Sequence, residues 1–177
     1  MNTGKLSVYK VVLAGDGNVG KTSLIRRYCE GKFDESRILT LGVDFQTKLV
    51  SFRNRTVKLS IWDIAGQEKF ATFRDTFYGG AHAVALVYDI TSPASFANLQ
   101  RWQDEIQSVV PNVPMAVIGN KIDLVSVVSA DAARSWSYDH SLPFLLTSAA
   151  TGERVDDFFR GMAWLAMQEQ VRRRTVS

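Results

Sequence analysis

The sequence predicts a doubly wound α/β fold: a mixed sheet of six strands, five parallel and one antiparallel, with about five helices spread over its two faces. Three observations predict it. Short apolar runs alternate with longer helical patterns along the 177 residues, the rhythm of strand–helix–strand units. Several runs are continuously apolar, as parallel strands covered on both faces must be. One pair of segments instead alternates with period 2 about a polar turn, which reads as a hairpin at the sheet edge.

The elements follow in order. Lys10–Ala14 is the first buried strand, and a helix starts near Lys21. Val43–Phe52 and Thr56–Trp62 are the alternating pair: Val57, Leu59 and Ile61 face one way, Lys58 and Ser60 the other, with Arg53-Asn54 as the turn. Ala83–Tyr88, Met115–Ile118 and Phe144–Leu146 are continuous apolar strands. Helical patterns lie near Ser95–Val109, Ser129–Tyr138 and Val155–Gln170. The last places Val155, Phe158, Phe159, Met162, Leu165 and Ala166 on one stripe, the spacing of a helix packed on a core.

The composition is that of an ordinary globular chain, 46% hydrophobic and 22% charged, which excludes wholesale disorder. Length and the lack of any repeat or Pro/Gly/Ser linker predict a single domain over residues 1–171, with a basic tail at 172–177. The formal charge of +3 comes from Arg172, Arg173 and Arg174; without them, basic and acidic residues balance at 18 each. The body therefore lacks the basic excess of a general nucleic-acid binder. A single cysteine, Cys29, excludes a disulfide framework and fits cytosolic conditions. No apolar signal segment, membrane span or myristoylation glycine at position 2 is seen, so the expected location is cytoplasmic.

In a doubly wound sheet, ligands gather at the carboxyl ends of the strands, and the chemistry-bearing residues lie there. The first strand runs into Gly15-Asp16-Gly17-Asn18-Val19-Gly20-Lys21-Thr22, then Ser23. This is G-x-x-x-x-G-K-[ST] between a strand and a helix, the context the motif requires. Its glycines let backbone N–H groups turn inward around phosphates, and the helix N-terminus adds free donors and a favourable dipole. Lys21 is expected to reach the β- and γ-phosphates, and the Thr22 hydroxyl to hold Mg²⁺. The third strand ends in Asp63-Ile64-Ala65-Gly66-Gln67. Asp63 is placed to hold Mg²⁺ through water, Gly66 to offer its N–H to a γ-phosphate, and Gln67 to orient an attacking water.

The fifth strand ends in Asn120-Lys121-Ile122-Asp123, before Leu124. A carboxylate at Asp123 accepts from the ring N–H and exocyclic amine of guanine. Adenine lacks that donor pair and would leave the carboxylate unpaired. The stem of Lys121 can lie along the base. After the sixth strand come Thr147-Ser148-Ala149-Ala150, where a backbone N–H can meet the guanine carbonyl. Each signal is weak to moderate alone, but four on one rim of one sheet are not coincidence.

These residues resemble the Ras superfamily of small GTPases over nearly the whole chain, and most closely its Rab branch. The narrower resemblance rests on Thr40-Leu41-Gly42-Val43-Asp44-Phe45, Lys58-Leu59-Ser60-Ile61-Trp62-Asp63 and Phe77-Tyr78-Gly79-Gly80-Ala81-His82. It implies a P-loop NTPase fold of the small G-domain type, GTP/GDP and Mg²⁺ as ligands, and hydrolysis by the general scheme of Ras-type enzymes. By position, Thr40 would bind Mg²⁺ and the γ-phosphate, Phe33 would lean on the base or ribose, and Arg37 stands where an aromatic often closes over the phosphates. Phe45, Trp62 and Phe77 match the trio that Rab proteins present to effectors; alternating aromatics of this kind equally suit a core. Ile64 replaces a usual Thr, Ala150 a usual Lys, and Gly79 a frequent Arg, while Asn18 is a polar variant of the phosphate loop. No arginine is evidently placed as a built-in finger, which implies slow intrinsic hydrolysis, an activating protein and an exchange factor.

The resemblance thus implies a switch that recruits effectors in membrane traffic. A GTP-binding scaffold with negligible hydrolysis, or a related switch in cytoskeletal control, are the alternatives. The terminal arginines suit a helix end or a weak peripheral membrane contact. The prenylated cysteines typical of Rab proteins do not follow them: either the chain stops before a hypervariable tail or it is a relative without a lipid anchor.

Overall fold

Strand β1 (Val8–Ala14) sits inside the sheet, and the chain winds first to one side of it and then to the other. A computed structural model describes residues 6–34, 40, 42–52, 54–66 and 71–176. Among these the six strands lie in the order β2-β3-β1-β4-β5-β6. β2 (Val43–Phe52) pairs antiparallel with β3 (Arg55–Ile64), from Val43 opposite Ile64 to Phe52 opposite Arg55. β3 and β4 (Ala83–Asp89) flank β1 in parallel, followed by β5 (Met115–Asn120) and β6 (Phe144–Thr147). The mixed sheet expected from the sequence is the one observed. Asn54 lies in the hairpin turn, and Arg53 lies outside the described residues.

Period-2 alternation splits the buried side chains into two cores. Val11 and Leu13 of β1, Ala85 and Val87 of β4 and Ile118 of β5 face α1 (Lys21–Glu30) and α6 (Val155–Val176). Val12, Val84, Leu86, Tyr88, Met115 and Val117 face the opposite layer. That layer holds α2 (Ala71–Tyr78), α3 (Pro93–Ala97), α4 (Leu99–Val109) and α5 (Ala130–Asp139). In each continuous strand both sets are apolar, which is why these runs showed no alternation. In β3, Val57, Leu59 and Ile61 are buried while Lys58 and Ser60 are half-exposed, as their spacing predicts.

Local chemistry sets the helix ends. α1 starts behind Gly20 and stops at Gly31, both left-handed at φ 99° and 69°, and the Gly31 N–H closes on the Arg27 carbonyl. Ser92 and Ser129 cap α3 and α5 by accepting from Ser95 N and Ala132 N. Three helices differ from the sequence reading. The single helix expected near Ser95–Val109 is two segments that meet at Asn98, whose side chain is drawn to the loop after β1. α2 had no apolar stripe to announce it, because its fully buried residues are Tyr78 and an arginine, Arg74, with Phe77 only half-buried beside them. α6 runs on to Val176, so the 171/172 boundary of the expected tail falls inside a helix. Its last turns are held by Glu169, which accepts from both Arg172 and Arg173, and by Arg173 donating to the Ala81 carbonyl at 2.9 Å.

Candidate nucleotide site

Winding reverses around β1, so the loop after it opens onto the crevice between strands that sheets of this kind use for ligands. The loop has the conformation its glycines predict. Gly15 has φ 142°, and a Cβ there would lie 2.1 Å from the Val87 carbonyl oxygen. A Cβ at Gly20 would lie 2.2 Å from Asn120 Nδ2. Asn18 is left-handed at φ 65°. The exposed Gly17 and Asn18 form the loop tip, while Val19 is buried in the core beneath it. Lys21 opens α1 and turns back under the loop, its Nζ donating to the Gly15 carbonyl at 2.7 Å and the Asp16 carbonyl at 2.8 Å. Burial pushes this amine down to about 8, although the Asp63 and Asp16 carboxylates pull it up; Arg74 also pushes it down. A cation so poorly solvated gains much from an arriving polyanion.

The end of β3 completes this half of the site. Asp63 is buried, and it accepts from the Thr22 hydroxyl and, at 3.1 Å, from Thr40 Oγ1; the two threonine hydroxyls are 2.9 Å apart. Burial raises the Asp63 carboxyl, opposed by Lys21 and by hydrogen bonds from both threonines. Its other oxygen, Oδ1, is buried with no hydrogen-bond partner among the described residues. An orphaned carboxylate oxygen beside two hydroxyls is a donor set that suits Mg²⁺ with water and substrate phosphate as its remaining ligands. Among the described residues no group of three or more His, Cys, Asp or Glu could hold a metal instead. Gly66 follows with no space for a side chain: a Cβ would lie 2.3–2.5 Å from backbone atoms of Gly15, Asp16 and Gly17. Ser23 is half-buried behind Thr22 in the first turn of α1. Gln67 and Arg37 lie outside the described residues.

The other half is held by side chains. Asn120 is buried and inward-facing. Its amide donates to the Val19 carbonyl at 3.0 Å and accepts from Thr147 Oγ1 at 3.3 Å and Ala149 N at 3.2 Å. It is therefore a brace that ties the loop after β1 to the loop after β6. Lys121, left-handed at φ 75°, places its Nζ 2.5 Å from Asp89 Oδ2. Asp123 is exposed and accepts from Ser148 Oγ at 2.5 Å. Leu124, 52% exposed, flanks it. Phe33 is exposed, with the Arg27 guanidinium 5.8 Å from its ring centre.

The sequence reading missed three braces. Arg27, on α1, donates to the carbonyls of Ala149 and Ala150 and so supports the loop after β6. Asp89 holds Lys121 while also accepting from Thr91 N and Oγ1. Asn98 and Trp102 hold the Asp16 carboxylate at 2.7 and 2.8 Å, so that side chain points to α4 and away from the loop interior. None announces itself by a motif, because each acts across more than 30 residues of sequence or on backbone atoms.

Beside this rim, Phe45 stacks on Trp62 at 5.4 Å, and Trp62 lies 6.3 Å from Phe77. Phe45 is 58% exposed, while Trp62 and Phe77 are half-buried against the core, so the trio serves both surface and interior. Lys10 Nζ sits 4.1 Å over Trp62 and donates to the Gly79 carbonyl at 2.8 Å. Of the departures from the family pattern, Ile64 is fully buried core.

Taken together, a glycine-built backbone loop, a buried lysine, a carboxylate with two hydroxyls that suits a divalent metal and an exposed, braced carboxylate on one sheet rim describe a nucleotide-hydrolysing P-loop domain. The Ras family matches residues 10–168. The Ras-related protein Rab-1D of Dictyostelium discoideum is 40% identical over 88% of this chain and 78% of its own. RABD2c of Arabidopsis thaliana is likewise 40% identical, and the GTP-binding protein YPTM2 of Zea mays 39%, each over 88% of this chain and 78% of its own. This chain belongs to the Ras family and is a Rab-like small GTPase. Among the described residues no helix is long and apolar enough to cross a membrane.

Proposed function

We propose that the chain is a GTP-hydrolysing switch in membrane traffic, with the residues above in the following roles. The observation that carries this reading is the contact of Gly66 with the loop after β1. Gly66, just after β3, is packed onto the phosphate loop with no room for a Cβ, so a γ-phosphate seated in the loop would have the Gly66 backbone as a close neighbour, and its N–H is the donor assigned to it. Binding or loss of that phosphate would then bias the position of Gly66, the arrangement a nucleotide switch needs.

The loop amides from Gly15 to Lys21 would surround the phosphates. Lys21 would exchange its two carbonyl partners for phosphate oxygens and neutralise charge developing on the leaving group. Thr22, Thr40 and Asp63 would hold Mg²⁺, which supplies charge neutralisation between the phosphate oxygens. Gln67 would orient the attacking water. Asp123 would read the guanine edge, with Lys121 along the base, Phe33 against it, and the Ser148–Ala150 loop meeting its carbonyl. Effector proteins would dock on the Phe45–Trp62–Phe77 strip beside the switching segments, and an activating protein and an exchange factor would set the two rates. Of the three terminal arginines, Arg172 and Arg173 are engaged with Glu169, so any membrane contact there is weak, about 1 kcal/mol per exposed charge.

The test is single-turnover GTP hydrolysis by the full chain and by Gln67→Leu. Both are expected to bind GTP, and the variant to hydrolyse it about 10-fold or more slowly. Equal rates would remove Gln67 from the mechanism, and absence of hydrolysis in the wild type would favour a GTP-binding scaffold.

A further inference from the structure

A loop that receives a polyanion carries a carboxylate, Asp16, and the fold disposes of it in an instructive way. Its side chain is held by Asn98 Nδ2 at 2.7 Å and Trp102 Nε1 at 2.8 Å, with Arg101 at 3.5 Å, while its main-chain oxygen accepts from Lys21 Nζ at 2.8 Å. The phosphate loop is thus moored to α4 through one residue. The mooring post, Trp102, is 1% exposed, and over its ring lies the guanidinium of Arg74, with Cζ 4.4 Å from the centre. Arg74 is 2% exposed and pairs with both oxygens of Glu105, one turn further along α4, at 2.7 Å each; Tyr78 donates to the same carboxylate at 2.7 Å.

Arg74 and Tyr78 belong to α2, which starts five residues after Gly66. One stretch of chain therefore touches the phosphate loop twice: directly at Gly66 and indirectly through Arg74, Trp102 and Asp16. A buried ion pair is a poor way to gain stability, since an apolar pair of similar volume does as well, but it fixes register. The planar, two-pronged geometry of Arg74 on Glu105 allows one placement of the guanidinium, and stacking hands that placement to the indole.

We propose that Arg74 is a positioning residue of the phosphate loop: docking of α2 on α4 through Arg74 orients Trp102, which holds Asp16 and with it the loop's grip on nucleotide. A movement of α2 then changes nucleotide release without any α2 residue touching the nucleotide. The inference rests on the reading of this loop as a guanine-nucleotide site.

The experiment is a double-mutant cycle on the release of fluorescent GDP from the full chain in the presence of Mg²⁺, with thermal melting to verify folding. Arg74→Gln should release GDP about 5–10-fold faster than wild type, and Asp16→Ala, which removes the acceptor altogether, at least as fast as Arg74→Gln. The double variant should match Asp16→Ala within about twofold, because without the side-chain acceptor that Trp102 and Asn98 donate to Arg74 has nothing left to act through. Multiplicative effects of the two substitutions, or unchanged release from Arg74→Gln, would overturn the proposal. If Arg74→Gln does not fold, Trp102→Phe takes its place: the ring stays for Arg74 to cover and only the Nε1–H is lost. Its effect should likewise vanish in the Asp16→Ala background, and additivity there overturns the proposal. A wild type that does not bind fluorescent GDP would be evident before any variant is compared, and would remove the nucleotide reading and the proposal together.

Discussion

The two halves of the candidate site solve different problems with different materials. The half at the ends of β1 and β3 is built from backbone, glycines and buried charge: Lys21 and Asp63 are 6% and 3% exposed. The half at the ends of β5 and β6 is built from side chains near the surface, with Asp123 exposed and braced by Ser148 and Lys121 braced by Asp89. Phosphates are common to all nucleotides, so the first half can use main-chain donors that carry no base information. Bases differ by a few polar atoms, so under the proposed roles the second must place particular side chains. Affinity should therefore reside mostly in the first half and selectivity in the second.

The sharpest way to break that division is to remove Lys21. Lys21→Met keeps the stem and deletes the charge. Each charge-assisted hydrogen bond contributes about 1.5–3 kcal/mol, so GDP and GTP should both bind about 10²–10⁴-fold more weakly in a fluorescence titration, with guanine selectivity preserved. Asp123→Asn should do the reverse. Guanine nucleotide affinity should fall about 10²-fold, and xanthine nucleotide affinity should rise, because an Asn amide can donate to the carbonyl that xanthine carries in place of the amine. If Asp123→Asn weakens every nucleotide equally, Asp123 is not the base reader, and the two halves are not separate in function.

How much of this could be read in the sequence differs between the halves in the same way. The strands were legible because each face of β1, β4 and β5 is apolar, and the glycines of the phosphate loop because their spacing is dictated by local backbone geometry. Asp16 and Asn120 were legible as positions but not in orientation. Both side chains face the protein, Asp16 toward α4 and Asn120 toward Val19, and a motif records only that they are near the site. α2 was invisible as a helix because its buried anchor is Arg74, which reads as surface in any apolar-periodicity argument. The length of α6 was hidden for a related reason. Arg172 and Arg173 read as a tail; once the helix continues, Glu169 meets them at i,i+3 and i,i+4 spacing, and only the fold brings the Ala81 carbonyl to Arg173.

Smaller effects sharpen the comparison. Asp89→Asn leaves Lys121 without its ionic partner but keeps a polar group of the same shape. A partly exposed pair contributes up to about 1 kcal/mol, so GDP release should quicken up to about fivefold while phosphate-half variants remain unaffected by it. No change in release would mean that Lys121 is positioned by its backbone alone.

The smallest effect concerns the scaffold under the phosphate half. Burial pushes Glu105 up, but hydrogen bonds from Arg74 and Tyr78, with the charge of Arg74, outweigh it and hold the carboxyl below its ordinary 4.5. A carboxyl depressed in the folded state adds stability at pH values above its unfolded value, and loses it as pH falls through the folded one. Glu105→Gln lacks that ionisable group. The gap in melting temperature between wild type and Glu105→Gln should therefore be full at pH 7 and should narrow below pH 4.5, by about 2–4 °C for each kcal/mol lost in a chain of this size. A gap that stays constant from pH 7 to pH 3.5 would mean that Glu105 is held by packing and not by its charge, and that α2 is docked on α4 without the ion pair.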